Sequence, residues 1–242
     1  RFHARFENAP RLAFLCTGPR NMSGHLVHGM GKTLEAPTWP TITHDEADAV
    51  AARFSDAGHV KTLNWHSPRP FSAAALLQTD RGEFILKRHA PQLRSVAALG
   101  EEHAFMAHLR LAGLSVPDVL TDAHGATALQ EGAWTYELHR KASGVDLYRD
   151  AISWTPFFDE DHVFASGVAL ARLHQAARGF ATQQRGPHPL VSSFTILPAD
   201  DPLAAAEQYI AQRPAIADYL VGKPWREQLT HAFATFGTGL PN

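Results

Sequence analysis

The sequence predicts an α+β protein built as two unlike lobes, and three observations predict it. Between about residues 59 and 140, short runs of alternating or apolar residues recur between turn residues, with a single long helical pattern among them. From Trp154 onward the periodicity is helical. The two regimes meet at "RKASG", residues 140–144, and strands with one helix followed by a run of helices indicate an α+β lobe joined to an α-rich one. The expected divisions are an irregular N-terminal extension (1–41), a first lobe (42–139) and a second, helical lobe (140–242).

The elements follow in order. Thr43 and Glu46 form a capping box, with Asp45 adding negative charge to the first turn. Ala47, Val50, Ala51 and Phe54 then recur at helical spacing, and Gly58 closes the helix. "HVKTLNWH", "FSAAALLQT" and "GEFILKRH" read as strands, the last two joined by the turn "DRG". A helix is expected from about Arg94 to Ala112, with Gly113 at its C′ position. "SVPDVLTD", "ATALQ" and "WTYELHR" read as three further strands. Helices are then expected in "DEDHVFASGVALARLHQAARGF", "PLAAAEQYIAQR" and "PWREQLTHAFATF", with Val163, Gly167, Leu170 and Leu173 making one face of the first. Asp159–Asp161 suit its N-terminus.

Composition narrows the function. The 242 residues are 45% hydrophobic and 19% charged, as in an ordinary globular protein, and can fill one large domain or two lobes. A net charge of −2 gives no reason to expect nucleic acid or an acidic membrane surface as partner. A single cysteine, Cys16, excludes an intramolecular disulfide and fits a reducing, cytoplasmic setting. No apolar run approaches the roughly 20 residues of a membrane span. The 15 histidines show no metal-ligand spacing with a cysteine or acid; His25 and His28 in "HLVH" come nearest and read as solvated loop residues. No metal site is expected within the chain.

"HGMGKT" imitates the end of a phosphate-binding loop, but its spacing fails. The first glycine such a loop requires falls on Leu26, and Pro37 and Pro40 forbid the helix that must follow. Its use is more plausibly as a start: "MGKTLEAPTWPTITHDEADAV" is a credible beginning at Met30, and residues 1–29 are expected to be dispensable.

The chemistry is expected further on. In "GEFILKRH", alternation puts Phe84 and Leu86 on one face, Ile85 and Lys87 on the other. A lysine at a strand end ordinarily snorkels to solvent. On the next helix, however, Leu99, Glu102, Met106 and Leu109 form one stripe, with an acid inside it. An unpaired buried carboxylate is costly, so Glu102 is expected to pair with Lys87, Glu101 being the second choice. Kinases use such a strand lysine and helix glutamate to hold ATP phosphates.

The ordered run "FILKRH … EEHAFMAHLRLAGLSVPDVL … WTYELHRKASGVDLY … LARLH" resembles the aminoglycoside phosphotransferase/homoserine kinase/choline kinase superfamily, and within it the stress-response kinase A type, over about residues 43–242. The resemblance implies a protein kinase-like fold, with an antiparallel-sheet N-lobe (42–139), a hinge and the first part of a helical C-lobe (140–242). It implies ATP and magnesium as cofactors and a hydroxyl acceptor: a protein Ser/Thr, an amino alcohol, a sugar or an aminoglycoside. Lys87 becomes the phosphate lysine and Glu102 its helix partner. "YELHRKASG" becomes the hinge, where backbone groups of Arg140 and Ala142 bond adenine and Leu138 flanks the ring. "PRPFSAA" becomes the loop over the phosphates, with Ser72 near the anion, although it lacks the glycines that ease close backbone approach. His174 in "ALARLH" is expected to be structural.

The family's His-Gly-Asp…Asn loop, which supplies the catalytic Asp and metal ligands, has no counterpart here; neither "HGM" nor "HGA" continues to Asp. The chain is therefore expected to be a fragment, with its magnesium ligands beyond residue 242. The alternatives are a pseudokinase-like module that binds nucleotide or a partner without turnover, and a plain α+β scaffold in which Lys87 and Glu102 form an ordinary salt bridge.

Overall fold

A computed structural model describes residues 25–29, 33–69, 72–149, 151–152, 155–182, 196 and 199–236. Met30–Lys32 of "HGMGKT", and Pro70 and Phe71 of the expected phosphate loop, lie outside the described residues.

The first elements correct the reading of residues 1–41 as irregular throughout. β1 (Val27–His28) and β2 (Leu34–Glu35) form an antiparallel pair. Val27 and His28 are buried, and the His28 N–H donates to the Pro68 carbonyl at 2.7 Å. His25 and His28 are thus not solvated: the His25 ring bonds the Ser67 carbonyl, and the Arg69 guanidinium donates to His28 Nδ1 at 2.8 Å. Burial, then the Arg69 charge, pulls the His28 pKa below its ordinary value.

α1 (His44–Ala51) begins where the capping box puts it, with the Thr43 hydroxyl accepting from the Glu46 N–H. It ends earlier than expected. Phe54 still reaches the core, but from a turn bridged to Asp122. Gly58 has φ +72°, and a Cβ there would lie 1.9 Å from Asp80 Oδ1, which accepts the His59 N–H. The turn requires glycine.

β3 (Val60–His66), β4 (Ala73–Thr79), β5 (Gly82–His89), β6 (Leu129–Glu131) and β7 (Trp134–Arg140) form one five-stranded antiparallel sheet in the order β3-β4-β5-β7-β6. The expected strand over 115–122 is reduced to an isolated bridge, Val119 to His139, although the Leu120 N–H donates to the Leu138 carbonyl of β7 and the Arg140 N–H of β7 donates to the Asp118 carbonyl. Pro117 has no N–H for a longer ladder, and Asp122 turns the chain by accepting from His124 and Ala126.

α2 (Val96–Leu111) connects β5 to this segment. Ser95 caps its start, and its end is a Schellman turn: Gly113 (φ +88°) donates to Arg110, and Leu114 donates to Leu109.

The period-2 alternation assigns the sheet's two faces. On one, Ala75, Leu77, Phe84, Leu86, Tyr136 and Leu138 meet Ile42 and the apolar side of α1 in the main core. Its rim holds a buried ion pair: Arg88 donates twice to Glu46 at 2.6 and 2.8 Å, also bonds the Pro40 carbonyl, and stacks over Trp134. The Tyr136 hydroxyl donates to the same carboxylate at 3.0 Å; burial, then that negative charge, raises the phenol's pKa. The other face carries Lys87 and His89 from β5 and Thr135, Glu137 and His139 from β7, toward α2.

The second lobe contains α3 (Glu160–Ala176), α4 (Pro202–Ala211), α5 (Pro214–Leu220) and α6 (Trp225–Phe236). Asp159 and Asp201 cap α3 and α4. α5 was not expected from the sequence; Pro214, pre-set for a first helical turn, starts it. α3 joins α2 through a bond from the His108 ring to the Ala176 carbonyl and through Phe105 against Phe180. Its expected apolar face does not become core among the described residues, where Val163 and Leu170 are about half exposed (51% and 53%). His174 is exposed too, so it completes no core.

Candidate active site

The site is built on the α2-facing side of β5 and β7. Antiparallel register sets Lys87 directly opposite Glu137 and His89 opposite Thr135, while His139 follows Glu137 by one pleat. Lys87 Nζ lies 3.2 Å from Glu137 Oε1. The His89 ring bonds the same oxygen at 3.0 Å. On Oε2, His103 of α2 and His139 approach through their Nε2 atoms at 2.6 and 2.7 Å.

One buried carboxylate thus gathers three imidazoles and an ammonium. An ionised carboxylate only accepts, so in this arrangement each neutral imidazole donates its Nε2–H. Burial works to raise the Glu137 pKa, but the bonds from His103, His139 and His89 and the Lys87 charge outweigh it and hold the carboxyl well below the usual range. Burial lowers the His139 pKa, opposed in part by its bond to Glu137. Lys87 is the one member open to water: its side chain is 36% exposed against 4% for Glu137. A fixed cation therefore emerges from an otherwise buried network and can meet an anion from solvent.

This geometry corrects the expected pairing. Lys87 pairs with Glu137, not with Glu102, which turns along the helix to ion-pair with Arg94. The buried residue that α2 turns toward the sheet is His103, four positions after Leu99, instead of Glu102 at three. Both spacings satisfy a helical stripe, so only the opposing strand decides between them.

The remaining expected residues divide. Ser72 is half-buried just before β4, near the end of the sheet where Ala74 pairs with Lys87, and it lines a small cleft with Arg69 and His25. Leu138 is fully buried in the α1-side core, so it flanks no open cleft. Arg140 ends β7 with its N–H already donated to the Asp118 carbonyl at 2.8 Å. Ala142 is exposed just past the strand, after Lys141, whose N–H bonds Glu83. His89, His103, Glu137 and His139 were missed. Their signal was the paired i, i+2 spacing of Lys87/His89 and Glu137/His139, which also answers the reading that no histidine has metal-ligand spacing with an acid.

An exposed lysine held by a buried carboxylate in an α+β lobe, followed by helices, is a frame on which phosphate groups can be bound. The chain belongs to the phosphotransferase enzyme family, whose model matches residues 68–232, and the aminoglycoside phosphotransferase resemblance read from its motifs is thereby borne out. Among solved structures it is similar to amicoumacin kinase hAmiN in complex with AMP-PNP, Ca2+ and Ami, with 18% identity and a TM-score of 0.44. That match covers 75% of this chain and 56% of the kinase, so the chain spans little more than half of that protein's length. No curated protein matches it. No helix among the described residues is long and apolar enough to cross a membrane.

Proposed function

We propose that this chain is the nucleotide-binding part of an ATP-dependent phosphotransferase that moves a γ-phosphate to a hydroxyl acceptor. The observation that carries the proposal is the Lys87–Glu137 pair: a half-open ammonium fixed at 3.2 Å by a buried carboxylate. Family membership supports phosphoryl transfer as the chemistry. Lys87 is the phosphate-binding cation. Glu137 performs the orienting role that a helix glutamate performs in kinases, and it does so from the neighbouring strand. Ser72 approaches the phosphates, and the exposed Ala142 meets the base. Leu138 is not part of the site.

ATP with magnesium supplies the transferable phosphoryl group and its charge neutralisation. What these residues contribute is position: the ammonium is held, its carboxylate partner is kept ionised, and neither needs to reorganise when an anion arrives. Phosphoryl transfer also needs an acceptor-activating Asp and metal-holding side chains, and the 242 residues contain no His-Gly-Asp string to supply them. That observation favours a second reading, nucleotide binding without turnover by these residues alone. The acceptor is a hydroxyl of a protein side chain or of a small alcohol such as an amino alcohol, sugar or aminoglycoside.

Titration with Mg-AMP-PNP followed by a phosphate-release assay tests both readings. Saturable binding lost in Lys87→Ala supports the proposal. Binding without release selects the second reading, and a chain that binds no nucleotide refutes both.

A further inference from the structure

We propose that His103, Glu137 and His139 bind a divalent first-row transition ion, zinc, which fastens α2 to the sheet behind Lys87. The ligand atoms of these three residues lie within 4.8 Å of one another, and all three side chains are buried. They come from two elements, His103 from the middle of α2 and the other two from one face of β7. The His103 and His139 rings meet edge to face with centroids 5.6 Å apart, so both Nε2 atoms are turned toward Oε2.

Zinc bonds of about 2.0–2.1 Å in a tetrahedral shell put neighbouring ligand atoms about 3.3 Å apart. The observed 2.6 and 2.7 Å spacings therefore need to widen by about 0.6–0.7 Å to admit the ion. Two imidazoles and one carboxylate oxygen are a zinc donor set; magnesium and calcium prefer oxygen alone, so this site is distinct in chemistry from one for nucleotide-bound magnesium. The outer partners are already in position. His89 and Lys87 hold Oε1, fixing the carboxylate while Oε2 is turned to the ion, as ligating carboxylates are held elsewhere. A bound ion replaces two hydrogen bonds to one crowded oxygen with three metal bonds and ties helix to strand.

The test uses the full chain stripped with chelator and titrated with zinc, and with cobalt as a visible probe. One equivalent of zinc bound, the intense d–d absorption of a low-coordinate cobalt site and a raised melting temperature are expected. His103→Gln and His139→Gln should each weaken zinc binding by at least ~100-fold, given that even outer-partner changes cost 10–100-fold. His124→Gln, at an exposed histidine, should bind as the parent chain does. Should the ligand variants fail to fold, X-ray absorption of the zinc-loaded parent reads the ligands directly; two imidazoles and a carboxylate oxygen support the proposal. Substoichiometric zinc, an oxygen-only shell, or unchanged affinity in folded His103→Gln and His139→Gln variants overturns it. Lys87→Ala should keep the zinc while losing nucleotide, so failure of one proposal is separable from failure of the other.

Discussion

Lys87 and Glu137 face each other across the β5–β7 ladder, and the ammonium lies 3.2 Å from a carboxylate that three histidines also hold. The lysine is the partly exposed member of this group and the glutamate the buried one. That asymmetry makes their substitutions separable.

Lys87→Ala should therefore leave the fold standing. Glu137 keeps its three imidazole donors, and a partly exposed ion pair is worth about 1 kcal/mol or less. Urea denaturation is expected to show a small change in midpoint, while nucleotide affinity falls at least tenfold, about 1.4 kcal/mol of binding free energy.

Glu137→Ala and Glu102→Ala should behave very differently. The first strands Lys87 and three buried imidazoles, and removing one partner of a buried charged network costs about 3–5 kcal/mol. The second removes the partly exposed Arg94–Glu102 pair and is expected to cost about 1 kcal/mol or less. Denaturant melts of the two variants check this ordering, and equal losses would contradict it.

On the opposite face, Glu46→Ala is expected to destabilise by about 3–5 kcal/mol, because Arg88 is 3% exposed and would lose its carboxylate. The Tyr136 hydroxyl would lose its acceptor in the same step. Replacing Glu46 and Arg88 together by apolar residues should recover much of that loss, which a double-mutant cycle measures.

A chain begun at Met30 removes β1, the buried Val27 and His28, the His28 bonds to Pro68 and Arg69 and the His25 bond to Ser67. Losing a buried Val side chain alone costs about 1.5–3 kcal/mol. We expect the shortened chain to fold with a lowered melting temperature, and a chain begun at His25 to melt higher. Equal melting temperatures would restore the reading of residues 1–29 as dispensable.

Much of the first lobe was legible because local chemistry agreed with tertiary structure. Alternation in "GEFILKRH" placed Phe84 and Leu86 together and Lys87 opposite, as observed, and Gly113 closed α2 where its C′ signal fell. The site was less legible. Steps of three and four residues fit a helical stripe equally, so Glu102 and His103 competed for the same inward position, and only β7 decides between them. Glu137 lay inside a string read as a hinge; nothing local marks a strand carboxylate as a partner until register sets a lysine across from it. Leu138 failed for the same reason, since one step along a strand exchanges faces. The reading of residues 1–41 as irregular missed β1 and β2, because two-residue strands carry too few residues for periodicity to show.

The most direct measurement is calorimetric titration of Mg-AMP-PNP into the parent chain, Lys87→Ala, Glu137→Gln and Glu102→Gln, each first shown to be folded. Saturable binding by the parent, lost on changing Lys87 or Glu137 and kept within about twofold on changing Glu102, is the expected result. Loss of binding in Glu102→Gln with retention in Glu137→Gln would contradict the account and return the lysine's partner to the helix.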